Sequence, residues 1–154
     1  MAGFPARVLL RSAEELKGLP KVLVLTGPTG TGKSDLAVSV ARLLMPMGQV
    51  ISADSVAVHS HTNIGSWKPS SAQQRGVTHH LLDTVSPNLP YSAIDWCREA
   101  HRTTRTIHEK AATPIVVGGS AAYIRWYESF LSFFFLFFFF SFLFFFFILS
   151  LFFF

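Results

Sequence analysis

The eight residues GPTGTGKS, Gly27 to Ser34, combine the parts needed to hold phosphate. Glycines let the backbone curl so that its N–H groups converge on phosphate oxygens, Lys33 adds a point charge, and the Ser34 hydroxyl can ligate magnesium. The stretch fits the pattern GxxxxGK[ST] and lies between a short apolar run and an amphipathic segment, the context that gives the pattern its meaning as a P-loop. Gly27, Thr29, Gly30, Thr31, Gly32, Lys33 and Ser34 are therefore the candidate phosphate- or diphosphate-binding residues, with Ser34 the candidate metal ligand and Mg2+ the expected cofactor. Such a loop defines a ligand but not a reaction, because the fold hosts many chemistries.

The elements that must carry this loop can be read on either side of it. Val22 to Leu25 is a continuous apolar run bounded by Pro20 and Gly27, as a parallel strand buried on both faces requires. Leu36, Val40, Leu43 and Leu44 recur at helical spacing and predict the buried stripe of a helix that stops at Pro46 and Gly48. A second strand is expected over Gln49 to Ala53, which makes a right-handed βαβ unit. Asp54 then falls at a strand's carboxyl end, the edge at which open α/β sheets bind ligands and the edge that carries the glycine loop.

Residues 55 to 90, with Gly65, Pro69, Gly76, Pro87 and Pro90, predict loops and short helices. Ser92 with Asp95 reads as a capping box. The small-residue face Ala93, Cys97, Ala100, Thr104, Ile107 and Ala111 follows at helical spacing. Ile115 to Val117 is a third buried strand, and Gly118-Gly119-Ser120 turns into another helix. The fold class is α/β, a P-loop NTPase-like three-layer parallel sheet, expected to be incomplete at its C-terminal side.

Composition divides the 154 residues into an N-terminal extension (1–20), a partial P-loop α/β domain (21–128) and a Phe-rich hydrophobic tail (129–154). All charge precedes the tail: 13 Lys and Arg against 9 Asp and Glu, a net of +4 that suits polyanions without identifying one. One cysteine, Cys97, excludes an intrachain disulfide framework and an all-cysteine zinc site, and reads as core in a reducing compartment. His79-His80 reads as structural, since adjacent histidines point apart and no cysteine or carboxylate cluster surrounds them. Trp67, Trp96 and Trp126 read as core rather than as base-stacking platforms. MAGFPARVLLRSAEELKG has no apolar run long enough for a secretory signal and leaves mitochondrial targeting open.

From Phe130 onward only Phe, Leu, Ile and the serines Ser132, Ser141 and Ser150 occur, over a length that could span a bilayer. The monotony, and the lack of basic or Trp/Tyr anchors after the last Phe, disfavour a natural span. Phe, Leu and Ser codons are rich in thymine, so the alphabet fits read-through of a thymine-rich tract better than a membrane anchor. A chain that carries this tail is expected to aggregate or seek membranes.

Beyond the P-loop, Ile51-Ser52-Ala53-Asp54-Ser55, Ile64-Gly65, Lys68-Pro69-Ser70, His79-His80-Leu81-Leu82-Asp83, and Pro114 to Ser120 with Tyr123-Ile124-Arg125 occur in one order. Together they resemble the tRNA dimethylallyltransferase (tRNA isopentenyltransferase) family over roughly residues 21 to 127. The resemblance implies transfer of a dimethylallyl group from dimethylallyl diphosphate to N6 of the adenosine beside the tRNA anticodon, with diphosphate leaving. It also implies Asp54 as the base on N6, Ser120 as a hydroxyl near the target base in place of the usual Thr, and substrate tRNA contacts at Asp54, Ser55, Ala57 and Ser120.

The chain departs from the family at Ala57, where a base-contacting Gln is usual, at His59, where Tyr is usual, and over Ser60-His61-Thr62-Asn63. Family members are also longer, with a helical insertion that grips the anticodon stem. Expected partners are dimethylallyl diphosphate and tRNA, with a membrane only if the tail is genuine, in a monomer of the cytoplasm or mitochondrion. Asp54 organising magnesium, a small P-loop phosphotransferase, and a non-catalytic fragment stand as alternatives.

Overall fold

The computed structural model describes residues 21–44, 46, 48–61 and 68–129. The expected N-terminal extension lies outside them, as does the Phe-rich tail but for its first residue. The elements in chain order are β1 (Leu23–Thr26), α1 (Lys33–Leu43), β2 (Gln49–Ser52), α2 (Ser71–Gln74), β3 (His79–His80), α3 (Ala93–Glu109) and β4 (Pro114–Gly118). A further helix, α4, runs over 121–129.

The four strands form one parallel sheet in the order β1-β4-β2-β3. β4 lies between β1 and β2, with Val24 opposite Val116 and Ile51 opposite Val116 on its other side. Because side chains alternate along a strand, the continuous apolar runs feed two cores. Ile51 and Val116 pack with Trp96, Cys97, Ala100 and Ile107 of α3 and with Tyr123, Ile124 and Tyr127 of α4. Leu25, Val50, Ile115 and Val117 pack with Ala37, Val38 and Ala41 of α1 on the opposite face. Helices on both faces of a parallel sheet make the three-layer, P-loop NTPase-like α/β fold expected from the sequence. Fully buried side chains such as Ile51, Ile107 and Ile115 each contribute about 1.5–3 kcal/mol.

The stripe predicted for α1 is corrected by the structure. Leu36 is 51% and Leu43 83% exposed, and Val40 and Leu44 are only partly covered. The helix instead sets Ala37, Val38 and Ala41 against the sheet. The cause is proximity: at Gly48, where the chain turns back, a Cβ would stand 3.1 Å from Ala41 Cα and 3.1 Å from Ile115 Cδ1, so only small side chains fit this seam.

α3 begins as predicted, with Ser92 Oγ accepting from Asp95 N–H at 3.2 Å and Asp95 Oδ2 accepting from Ser92 N–H at 3.0 Å. Its buried face is Trp96, Cys97, Ala100, Thr104 and Ile107, while Ala111 lies beyond the helix at φ 55° and is exposed. Trp96 is core as expected. Trp126 is half exposed, against expectation, and Trp67 is outside the described residues. The strand at His79–His80 was not visible in the sequence, being two residues of a type with little strand preference. Among the described residues no helix is long and apolar enough to cross a membrane.

Candidate functional site

The glycine loop follows β1 and bends through left-handed backbone at Gly30 (φ 81°) and Gly32 (φ 76°), conformations that a side chain would strain. Gly32 is the N-cap of α1 and supplies no side-chain cap, so the N–H groups of the first turn are left for an anion at the positive end of the helix dipole. Thr31 Oγ1 donates to Pro28 O at 2.9 Å, and the Lys33 ammonium donates to the same carbonyl, which steadies the curl. Burial pushes the Lys33 pKa down while the negative charge of Asp54 opposes the shift, so the cation and the carboxylate sense each other across the cleft.

The carboxyl ends of β2 and β4 are pressed together at Gly118, where a Cβ would lie 2.0 Å from Ala53 O. This approach lets Ala53 N–H donate to Val117 O (2.7 Å) and Ser120 N–H donate to Ala53 O (3.3 Å). The residues one step further on are thereby joined. Ser120 Oγ accepts from Ser55 N–H at 2.9 Å and donates to Ser55 Oγ at 3.2 Å. Asp54 Oδ1 accepts from Val56 N–H (2.8 Å) and Ala57 N–H (3.1 Å), so the carboxylate caps the turn that follows β2. Behind it Tyr123 stacks on Trp96, ring centroids 4.6 Å apart, and burial followed by the Asp54 charge raises the Tyr123 pKa. Trp96 is itself fixed by its indole N–H to Ser52 O at 2.9 Å.

A cleft of about 500 Å3 opens along this edge, lined by Thr29, Gly30, Gly32, Lys33, Ser34, Asp54 and Ala57 among the residues predicted from the sequence. Gly27, Thr31, Ser55 and Ser120 do not line it; Ser55 and Ser120 hold each other beside Asp54. Ala57 is 4% exposed and reaches Asp54 through its N–H rather than its side chain. Lys68 and Gln73, for which no role was foreseen, also line the cleft, as does His79, read from the sequence as structural. Lys68 stood in the Lys68-Pro69-Ser70 segment, and only the fold reveals that its ammonium pairs with Asp83 and donates to His59 O. The histidines of β3 are held by their neighbours: His79 Nδ1 donates to Val77 O at 2.9 Å and His80 Nε2 to Gln49 Oε1 at 2.8 Å.

A parallel sheet with a glycine-rich loop after β1 and a carboxylate at the end of β2, both opening on one cleft, is the arrangement of a P-loop NTPase-like α/β domain. A family model described as IPP transferase matches residues 57–133. The chain belongs to this family. It is 42% identical over 107 residues to tRNA dimethylallyltransferase 9 of Arabidopsis thaliana, which covers 70% of this chain and 23% of that protein. It is 46% identical over 105 residues to tRNA dimethylallyltransferase 1 of Citrifermentans bemidjiense, 68% of this chain and 34% of that one. The crystal structure of the full-length tRNA isopentenylpyrophosphate transferase of Bacillus halodurans superposes with a TM-score of 0.67 at 34% identity, covering 71% of this chain and 35% of its own. The chain thus matches about a third or less of the length of these relatives.

Proposed function

We propose that this domain takes part in transfer of a dimethylallyl group from dimethylallyl diphosphate to N6 of the adenosine beside the tRNA anticodon. The observation that carries the reading is the shared cleft: the glycine loop and the Asp54 carboxylate open on the same space. In the reaction N6 attacks C1 of the dimethylallyl group, the C1–O bond breaks, diphosphate departs with the bonding pair, and the N6 proton goes to Asp54. An exocyclic amine is a weak nucleophile because its lone pair is delocalised, so a carboxylate taking the proton during attack is worth about 10²–10⁴ in rate. The hydrogen bonds to Asp54 among the described residues fall on Oδ1, which leaves Oδ2 to accept that proton.

The loop N–H groups and Lys33 would stabilise charge gathering on the leaving diphosphate, where preorganised donors contribute most. Ser34 offers a hydroxyl oxygen on the cleft that carries the Asp54 charge, a hard and sparse donor set that fits a magnesium ion keeping most of its waters. When bound, magnesium would neutralise charge on the diphosphate oxygens. Ser55 and Ser120, joined to each other beside Asp54, would steady the turn that presents the carboxylate to the adenine, which must leave its stack to reach it. The reading suits a reducing compartment, cytoplasm or mitochondrion, consistent with the buried free thiol of Cys97.

The test is transfer of labelled dimethylallyl to an anticodon stem-loop, with Asp54→Ala beside the unaltered protein. Asp54→Ala should lose transfer by about a hundredfold or more while inorganic diphosphate still binds. Equal transfer by the two proteins would remove the base. Turnover of nucleoside triphosphate onto a small acceptor, without prenyl transfer, would instead establish a phosphotransferase.

A further inference from the structure

Among the described residues, the turn that carries Asp54 is held partly by its own backbone and partly by a distant segment. Beyond Oδ1 with Val56 and Ala57, the turn closes through Val58 N–H to Asp54 O (3.2 Å) and His59 N–H to Val56 O (3.2 Å). Its outer side leans on a distant segment. Asp83 N–H donates to Ala57 O (3.1 Å), Thr84 and Val85 N–H donate to Val58 O (2.9 and 3.1 Å), and Ser60 N–H donates to Val85 O (2.7 Å). That segment is itself tightly bent, with positive φ at Leu81 (55°) and Asp83 (57°).

Lys68 ties the two together from a third place in the chain. Its ammonium donates to the His59 carbonyl on the Asp54 turn and to the Asp83 carboxylate on the supporting segment. The side chain is 8% exposed, whereas that of Asp83 is 47% exposed, so a charge withdrawn from water is satisfied by both segments at once. Pro69 follows, and Ser70 caps α2 through a reciprocal pair with Gln73, so the residues after Lys68 are also anchored.

From this arrangement we infer that Lys68 is a positioning residue, a buried cation that clamps the 54–60 turn to the 81–85 segment and so fixes the Asp54 carboxylate against the phosphate loop. The inference rests on the proposed function for what Asp54 does, but not for where it is held. Among the described residues the one ammonium bonds both segments, which makes it a shared hinge point. Lost, the turn keeps its backbone bonds yet gains freedom along the cleft, and a displacement near 1 Å is enough to cost about a hundredfold in a transfer step.

The experiment uses the full chain with Lys68→Met, Lys68→Arg and Asp83→Asn. Amide hydrogen exchange should quicken about tenfold or more at Val56, Ala57 and Ser60 in Lys68→Met, with β1 and β4 amides unchanged. Lys68→Arg should restore most of the protection. Asp83→Asn should loosen the same amides less, because the bond to His59 remains.

In transfer assays with dimethylallyl diphosphate, Lys68→Met should lower kcat about tenfold to a hundredfold and leave KM for the diphosphate unchanged. Unchanged exchange at Val56 and Ala57 in both Lys68→Met and Asp83→Asn would overturn the inference. So would faster exchange throughout the sheet, which would make Lys68 a general stabilising residue. A raised KM at constant kcat would also overturn it by making Lys68 a ligand-gripping group. An unaltered protein that transfers nothing counts against the proposed function alone, and the exchange result still decides the clamp.

Discussion

Replacing Gly118 by Ala puts a methyl group where the sheet has no room for one. The added Cβ would stand 2.0 Å from Ala53 O, 2.3 Å from Ala53 C and 2.8 Å from Ala53 Cα, all backbone atoms that no rotamer change can move aside. Ordinary contact begins at 3.4 Å, so the ends of β2 and β4 must part by about 1.4 Å. That separation strains the bonds Ala53 N–H to Val117 O and Ser120 N–H to Ala53 O. Two weakened hydrogen bonds at about 1 kcal/mol each, with an overpacking cost of about 1–3 kcal/mol, give an expected loss of about 3–5 kcal/mol. Asp54 follows Ala53 and Ser120 lies two residues past Gly118, so transfer should fall by about a hundredfold. Gly119→Ala is the control, because its Cβ would meet Gly27 O at 3.5 Å, an ordinary contact. Urea unfolding followed by tryptophan fluorescence reads the first effect and single-turnover transfer the second. If Gly118→Ala unfolds within about 0.5 kcal/mol of the unaltered protein and transfers normally, the strand-end contact does not position the site.

Trp96→Phe keeps the ring against Tyr123 but removes the indole N–H from the buried Ser52 carbonyl, and should cost about 1–3 kcal/mol in urea unfolding. Burial lowers the pKa of His101, and burial with the charges of Lys110 and His79 lowers that of His80, both from an ordinary value of 6.5. The unfolded chain therefore binds more protons than the folded one. The stability these rings contribute is present above pH 6.5 and is lost as pH falls below it. Unfolding free energy should drop between about pH 7 and pH 5, and His101→Phe, which keeps a ring against Tyr127, should flatten that slope. The lowered pKa of Asp95 acts only below its ordinary 3.8 and leaves this window clear.

The glycine-loop end of the site was legible because one continuous segment makes it: strand, glycine turn and helix start are adjacent in the chain, and each has its own residue preferences. Strand positions were legible wherever both faces are buried, since Val50, Ile51, Ile115, Val116 and Val117 leave no alternative to the interior. Reading by side-chain size failed on α1. Leu36 and Leu43 carried the hydrophobic signal, but Ala37 and Ala41 make the contact, because closeness to the sheet selects small residues and hydropathy scores favour large ones. The strand at His79–His80 exists through its pairing with Val50 and Ile51 rather than through its own residues. Lys68 gave a motif without a role, since the Asp83 and His59 groups that define one are neighbours only in the fold.

This difference in construction carries a functional consequence. On the proposed reading, anion binding would depend on residues 27–34 and on β1, a local unit of strand, turn and helix start. The Asp54 end depends on contacts from residues 68, 83, 118 and 120, each far away in sequence and each able to shift the carboxylate, while Gly118 also pairs with Thr26 at the end of β1. Most substitutions in the second group should therefore separate two properties that the unaltered cleft joins, leaving diphosphate affinity intact and transfer impaired. A transferase gains from that division: the phosphate anchor tolerates change elsewhere, and the geometry between the carboxylate and the bound diphosphate is where rate is won or lost.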